Sequence, residues 1–162
     1  MATKLEGKPG PWLRAIYRMP LAVYGAGFAG WERWLGLHWM LIATVGRRSG
    51  RPHAVLVDLL GHDPGRGRYF IQAAYGRCAD WVRNIEARPI FEAQVGRERF
   101  RARMEEAGRQ EAERVMLAYV RSHPLYSPGI AWMLGYRGPL RSPESVAAWL
   151  VEGFGMLVIV RL

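Results

Sequence analysis

Residues Leu41–Leu60, LIATVGRRSGRPHAVLVDLL, decide how the rest of the chain is read. Two runs that suit β-strands, Leu41–Val45 and Ala54–Leu60, flank a short basic turn. That turn is Gly46, Arg47, Arg48, Ser49, Gly50, Arg51 and Pro52. Glycine permits positive φ and close approach of a ligand or a second backbone. Arginine presents a flat fork of donors that matches phosphate and carboxylate two bonds at a time. Inward-pointing turn amides add an anion-binding nest. The stretch therefore reads as an anion cradle at the end of a hairpin. A solvated, arginine-rich turn that binds nothing is the competing explanation.

Downstream, Gly61–Gly67 is a turn, and Arg68–Tyr75 suits a third strand. That strand ends in small residues, Ala73 and Ala74, then Gly76, which leave room for a flat group or for tight strand packing. Asp80 is an N-cap candidate for a helix to about Ala87, with Trp81 and Ile85 on its inward face. The N-terminus of that helix favours anions. Ile90–Val95 and Arg99–Glu105 form a second hairpin pattern, in which Phe100, Ala102 and Met104 alternate with Arg99, Arg101 and Arg103. Gly108–Ser122 reads as an amphipathic helix, with Val115, Leu117, Ala118 and Tyr119 opposite Arg109, Glu111, Glu113 and Arg114. A short helix near Ile130–Leu134 follows. Ser142-Pro143-Glu144 starts another, to about Val151, before a last strand at Met156–Arg161.

Upstream, Trp12, Ile16, Met19 and Val23 recur at helical spacing, with Arg14 and Arg18 between them. The uncharged run Met19–Trp31 is too short to span a bilayer and carries Pro20, Gly25, Gly27 and Gly30. Two readings stay open for this N-terminal helix: a cover for one end of the core, and a peripheral membrane contact of the tryptophan–arginine kind. Residues 1–10 read as a flexible tail, and 11–162 as one domain. About six strands, mostly in hairpins, with attached helices give an α+β class. Such strands close into a small barrel that leaves no exposed edge.

The chain has 162 residues, half of them hydrophobic, and a net charge of +9, which excludes a disordered tail and favours an anionic partner. Nucleic acid, an acidic lipid surface and a polyanionic small molecule all meet that description. The lysines are Lys4 and Lys8 alone, so the arginine excess reflects a uniform choice and weakens the meaning of any single arginine. The single cysteine, Cys78, forms no intrachain disulfide, in keeping with a cytoplasmic location. The four histidines are scattered, and no metal-ligand spacing occurs, so no metal site is expected. No Ser-His-Asp or Cys-His set supports hydrolase chemistry.

The run LIATVGRRSGRPHAVLVDLL, then RYFIQAAYG, then ADWVRNI and QVGRERFRAR, resembles the deazaflavin-dependent nitroreductase family. Members show a G-R-[RK]-[ST]-G-x-P turn, a strand with a small-residue end, and a W-[YV]-x-N-L helix. The resemblance runs in order from Trp12 to Glu105. It implies a split β-barrel related to the FMN-binding split barrels. It also implies coenzyme F420, a deazaflavin with a phosphate and an oligoglutamate tail, with FMN as the alternative cofactor. The implied activity is hydride transfer from the reduced coenzyme to a small acceptor: a quinone, a nitro compound or an activated alkene.

Carried over residue by residue, the resemblance assigns cofactor binding to Gly46, Arg47, Arg48, Ser49, Gly50, Arg51, Pro52 and His53. It adds Ala73, Ala74, Tyr75 and Gly76 at the strand end, and Trp81 and Asn84 on the helix. His53 stands where arginine is common, and Tyr75 where lysine is common. Both changes remove positive charge, which Arg51 and Arg77 are placed in sequence to restore. The coenzyme carries the redox chemistry, so few catalytic side chains are needed. The catalytic residues are not identifiable; Tyr119, Tyr126 and Tyr136 are the proton-donor candidates. A non-catalytic F420 carrier and a nucleic-acid-binding barrel using Arg99, Arg101 and Arg103 remain competing classes; the reading taken excludes nucleic acid as a partner. A homodimer that completes the site also stays open.

Overall fold

The computed structural model describes residues 38–73 and 76–162. The N-terminal helix and tail expected above, and Ala74 and Tyr75, lie outside the described residues. Six strands form a closed antiparallel barrel in the order β1-β2-β3-β6-β5-β4. They are β1 (Trp39–Val45), β2 (Pro52–Asp63), β3 (Arg68–Ile71), β4 (Phe91–Val95), β5 (Glu98–Glu106) and β6 (Leu157–Arg161). The helices are α1 (Asp80–Ala87), α2 (Arg109–Ser122), α3 (Tyr126–Met133) and α4 (Pro143–Phe154). This is the small closed barrel expected from the hairpin pattern, and the helix-flanked split barrel that the family resemblance implies.

Alternation along the strands creates two cores. Met40, Ile42 and Thr44 of β1 are buried while their neighbours are only partly covered. Tyr69 and Ile71 of β3, Phe100 and Ala102 of β5, and Leu157 and Ile159 of β6 join them inside the barrel. The opposite faces of β3 and β6 present Phe70 and Val158 to a second, outer core. There they meet Ala112, Met116 and Val120 of α2, Ala131 of α3, and Val146 and Leu150 of α4. The period of two in the strands thus sorts one sequence into a barrel interior and a helical coat.

The antiparallel register puts the end of β1, the start of β2, the end of β3, the start of β4, the end of β5 and the start of β6 on one rim. α1 closes that rim: its Val82 and Ile85 are buried within the inner core. Gly61 marks a register shift between β2 and β3. A Cβ there would lie 2.9 Å from Val115 Cγ1, so the glycine lets α2 approach the barrel wall.

Several boundaries and faces differ from the sequence expectation. β3 ends at Ile71 rather than Tyr75, because Gln72 leaves the ladder and its amide donates to the carbonyls of Leu150 (2.9 Å) and Gly155 (2.8 Å). α2 buries Ala112, Met116, Tyr119 and Val120, a stripe turned from the one expected. Glu111, expected on the solvent face, is partly buried because it pairs with Arg68 of β3 (2.6 and 3.0 Å). That pairing holds the Glu111 carboxyl below its usual range. α3 starts four residues earlier than expected: Ser127-Pro128 is its first turn, where the missing proline N–H costs nothing. Ser142 caps α4 as expected, its Oγ accepting from Ser145 N at 3.2 Å.

Candidate functional site

The basic turn joins β1 to β2 at the rim that α1 closes. Gly46 N donates to Arg51 O and Gly50 N to Gly46 O, both at 2.8 Å, so the turn is locked by its own backbone. Gly50 has φ +66°, a conformation that other residues rarely adopt. Gly46 is packed beneath the side chains of Ser49 and His53; an added Cβ would meet both. The Ser49 hydroxyl and the His53 imidazole therefore converge over one backbone position. Thr44 Oγ1 donates to His53 O at 3.5 Å from the adjoining strand.

The three arginines of the turn are not equivalent. Arg47 is turned onto α1: its guanidinium donates to Asp80 Oδ1 (3.0 Å), Asp80 O (3.3 Å) and Asn84 Oδ1 (3.1 Å). Its backbone N–H donates to the same Asn84 oxygen at 3.1 Å. Asn84 is only 5% exposed, so this side-chain carbonyl is a buried acceptor spent on holding the turn. Arg48 and Arg51 are exposed, and neither makes an ion pair among the described residues. The turn is thus one pinning arginine and two available ones.

Asp80 is the first residue of α1, and Ala79 the N-cap, in place of the side-chain cap expected at Asp80. Its carboxylate suits the positive helix end and pairs there with Arg47, so the protein itself supplies the anion at this N-terminus. Trp81 is partly buried against the inner core. Ala73 is buried, and its carbonyl accepts from Gly76 N at 2.8 Å. Pro52 and His53 open β2 and are exposed. Arg77, placed by sequence to reinforce the turn, points elsewhere. It is held between Glu86 (3.3 Å) and Glu106 (3.0 Å). Those groups line a cleft of about 400 Å³ with Ile85, Pro89 and Met104. That cleft already holds more carboxylates than cations and offers no anion site.

The three candidate tyrosines separate clearly. Tyr136 is buried, its hydroxyl packed under Gly138 and donating to Pro139 O at 3.4 Å. Tyr119 is buried in the outer core, and burial, with the nearby Asp58 charge, pushes its phenol well above the ordinary value. Tyr126 alone is tied to an ionisable group: its hydroxyl donates to Asp58 Oδ2 at 2.8 Å. Asp58 sits on β2 beneath the start of α3. Burial raises its carboxyl pKa, opposed by hydrogen bonds from Tyr126 and Trp39 and by the charge of His123. The His123 ring lies tilted against Tyr119 at 4.3 Å and meets Tyr126 edge-on at 6.4 Å. Sequence reasoning missed Asp58. Its signal was a lone carboxylate inside an otherwise apolar strand, HAVLVDLL.

The closed antiparallel barrel carries an arginine- and glycine-rich turn at its rim, and that donor set suits a phosphate with further carboxylates. Two exposed guanidiniums, a hydroxyl and an imidazole, mounted on a backbone-locked turn, fit the acidic part of F420. A model of the F420H(2)-dependent quinone reductase family matches residues 17–131, well over half of the chain, and the chain belongs to that family. It is an oxidoreductase that works with reduced coenzyme F420. No curated protein matches the sequence. Similar solved structures include an F420-H2 dependent reductase, FDR-A, 20% identical with a TM-score of 0.47, over 76% of this chain and 93% of that one. A protein related to general stress protein 26, from Clostridium acetobutylicum, is 14% identical with a TM-score of 0.48, over 80% and 79%. A pyridoxamine 5'-phosphate oxidase-related, FMN-binding protein from Nostoc punctiforme is 15% identical with a TM-score of 0.46, over 95% and 82%.

Proposed function

We propose that this reductase passes reducing equivalents from F420 to a quinone, with nitro compounds and activated alkenes as further acceptors. The observation that carries the reading of its site is the division of labour in the turn. Arg47 and Asn84 fix the turn to α1, and Arg48 and Arg51 face solvent with their guanidiniums available. On this reading Arg48 and Arg51 hold the phosphate and carboxylates, while Ser49 and His53 add donors over Gly46. Ala73, Ala74, Tyr75, Gly76 and Trp81 border the flat ring. Bound F420 supplies the hydride. Tyr126 holds a proton on Oη, and Asp58 orients that phenol, so Tyr126 is the proton donor. Anion turn and Tyr126–Asp58 pair are six residues apart along β2, roughly 20 Å of extended strand.

Titration of the protein with F420 and FMN side by side tests the coenzyme site. Tight F420 binding that weakens by about 1–3 kcal/mol in Arg48→Ala and in Arg51→Ala is expected. Unchanged affinity in both variants removes the turn from the site. Tyr126→Phe should leave F420 affinity intact and lower quinone turnover about 100-fold or more, as loss of a general acid does. Turnover equal to that of the parent would return the proton to solvent.

A further inference from the structure

α2 hands the chain to α3 at His123, and both its backbone and its ring are fixed there. The His123 N–H donates to the carbonyls of Tyr119 (3.1 Å) and Val120 (3.2 Å), which closes α2. Its carbonyl accepts from Ser127 N (3.0 Å) in the first turn of α3. In the ring, Nδ1 lies 2.9 Å from Tyr119 O. A carbonyl only accepts, so Nδ1 carries the hydrogen, and Nε2 is the nitrogen that gains or loses a proton. The ring is half-buried, tilted against Tyr119 at 4.3 Å and edge-on to Tyr126 at 6.4 Å.

Titratable groups face this ring from three elements: Tyr119 of α2, Tyr126 of α3 and, beyond Tyr126, Asp58 of β2. Burial and the Asp58 charge push the Tyr119 phenol far up, so it stays neutral. A positive His123 favours the ionised form of Asp58, against the burial that disfavours it. The C-terminal end of α2 in turn favours a cation at this position.

On the reading of Tyr126 as proton donor, a quinone that has accepted a hydride is a hydroquinone anion, and the phenol completes it. The Tyr126 O–H bond breaks, the proton goes to the quinone oxygen, and the electron pair stays on Oη until water restores the proton. The phenolate so formed sits against Asp58 Oδ2, its partner at 2.8 Å. Two anions that close repel each other strongly where water is scarce. A cation at His123 offsets that repulsion, and a neutral imidazole does not. We propose that His123 is a positioning residue for proton donation: its positive charge, set between the end of α2 and Tyr126, lets the phenol release its proton beside Asp58. The proposal rests on Tyr126 being the donor.

Quinone turnover at saturating F420 and menadione, scanned over about pH 5–8, the interval in which an imidazole changes charge, tests it. The kcat of the parent should fall about tenfold as His123 becomes neutral. His123→Asn keeps a donor for Tyr119 O and removes the charge, so its kcat should stay flat at the lower level. His123→Lys keeps a charge throughout and should stay flat at the higher level. F420 affinity, read by titration, should be the same in all three. A His123→Asn profile that still falls as the parent's does, while Tyr126→Phe is slow, overturns this proposal alone. Equal, low kcat in the Asn and Lys variants also overturns it, because shape and not charge would then be the role. A Tyr126→Phe variant as fast as the parent overturns the donor assignment and this proposal with it.

Discussion

The start and the middle of β2, a basic turn running into Pro52 and an apolar stretch holding Asp58, do opposite chemistry. At Pro52 the strand emerges from a turn crowded with arginines that stay in solvent, positioned by a buried amide oxygen on α1. At Asp58 it carries a recessed carboxylate that α3 covers and Tyr126 satisfies. The first region leaves the Arg48 and Arg51 charges in water; the second withdraws one carboxyl from water and ties it to a phenol. The contrast teaches that availability, rather than residue type, separates a binding group from a structural one. Arg47 and Arg48 are neighbours in sequence, yet only Arg48 is left without an ion pair among the described residues.

The largest break in this comparison should come from the plug that the turn leans on. Ile85→Ala removes a buried side chain of α1 from the inner core and should cost about 2–5 kcal/mol of stability, read by urea unfolding. A loss no greater than that of a surface substitution would mean that α1 does not seal the barrel. Asn84→Ala should cost less, about 1–3 kcal/mol, by leaving the Arg47 N–H without its acceptor. It should also weaken F420 binding although Asn84 is already committed to the turn. Preserved affinity in this variant would show that the turn holds its shape without α1.

The smallest effect sharpens the Asp58 side of the comparison. Its folded carboxyl pKa is raised above the ordinary 3.8, chiefly by burial. The folded protein therefore keeps this proton to a higher pH than the unfolded chain does. Stability from this group is fully present below the unfolded value and is lost as pH rises through the folded one. Asp58→Asn keeps an acceptor for Tyr126 and carries no charge. Its melting temperature relative to the parent should therefore climb with pH across that window. A difference that stays flat would show that the carboxyl is hydrated in the folded state.

Much of the architecture was legible because apolar alternation has a physical period. Phe100 and Ala102 turn inward and Arg99 and Arg101 outward, as their spacing requires. The stop of β3 was not legible, since it depends on Gln72 finding carbonyls about eighty residues away. The burial of Glu111 was hidden for the same reason: its partner Arg68 lies on another element. Within the turn, composition indicated an anion site but could not rank its arginines.

By itself the sequence determined the hairpins and the cationic turn, because strand periodicity, glycine tolerance and guanidinium chemistry are properties of short stretches, and the order of its motifs carried the family resemblance. Only the tertiary structure decided which arginine pins and which faces solvent, and that a lone aspartate meets Tyr126. Those outcomes depend on groups distant in the chain competing for the same donors and for the same water, and no local pattern records who wins.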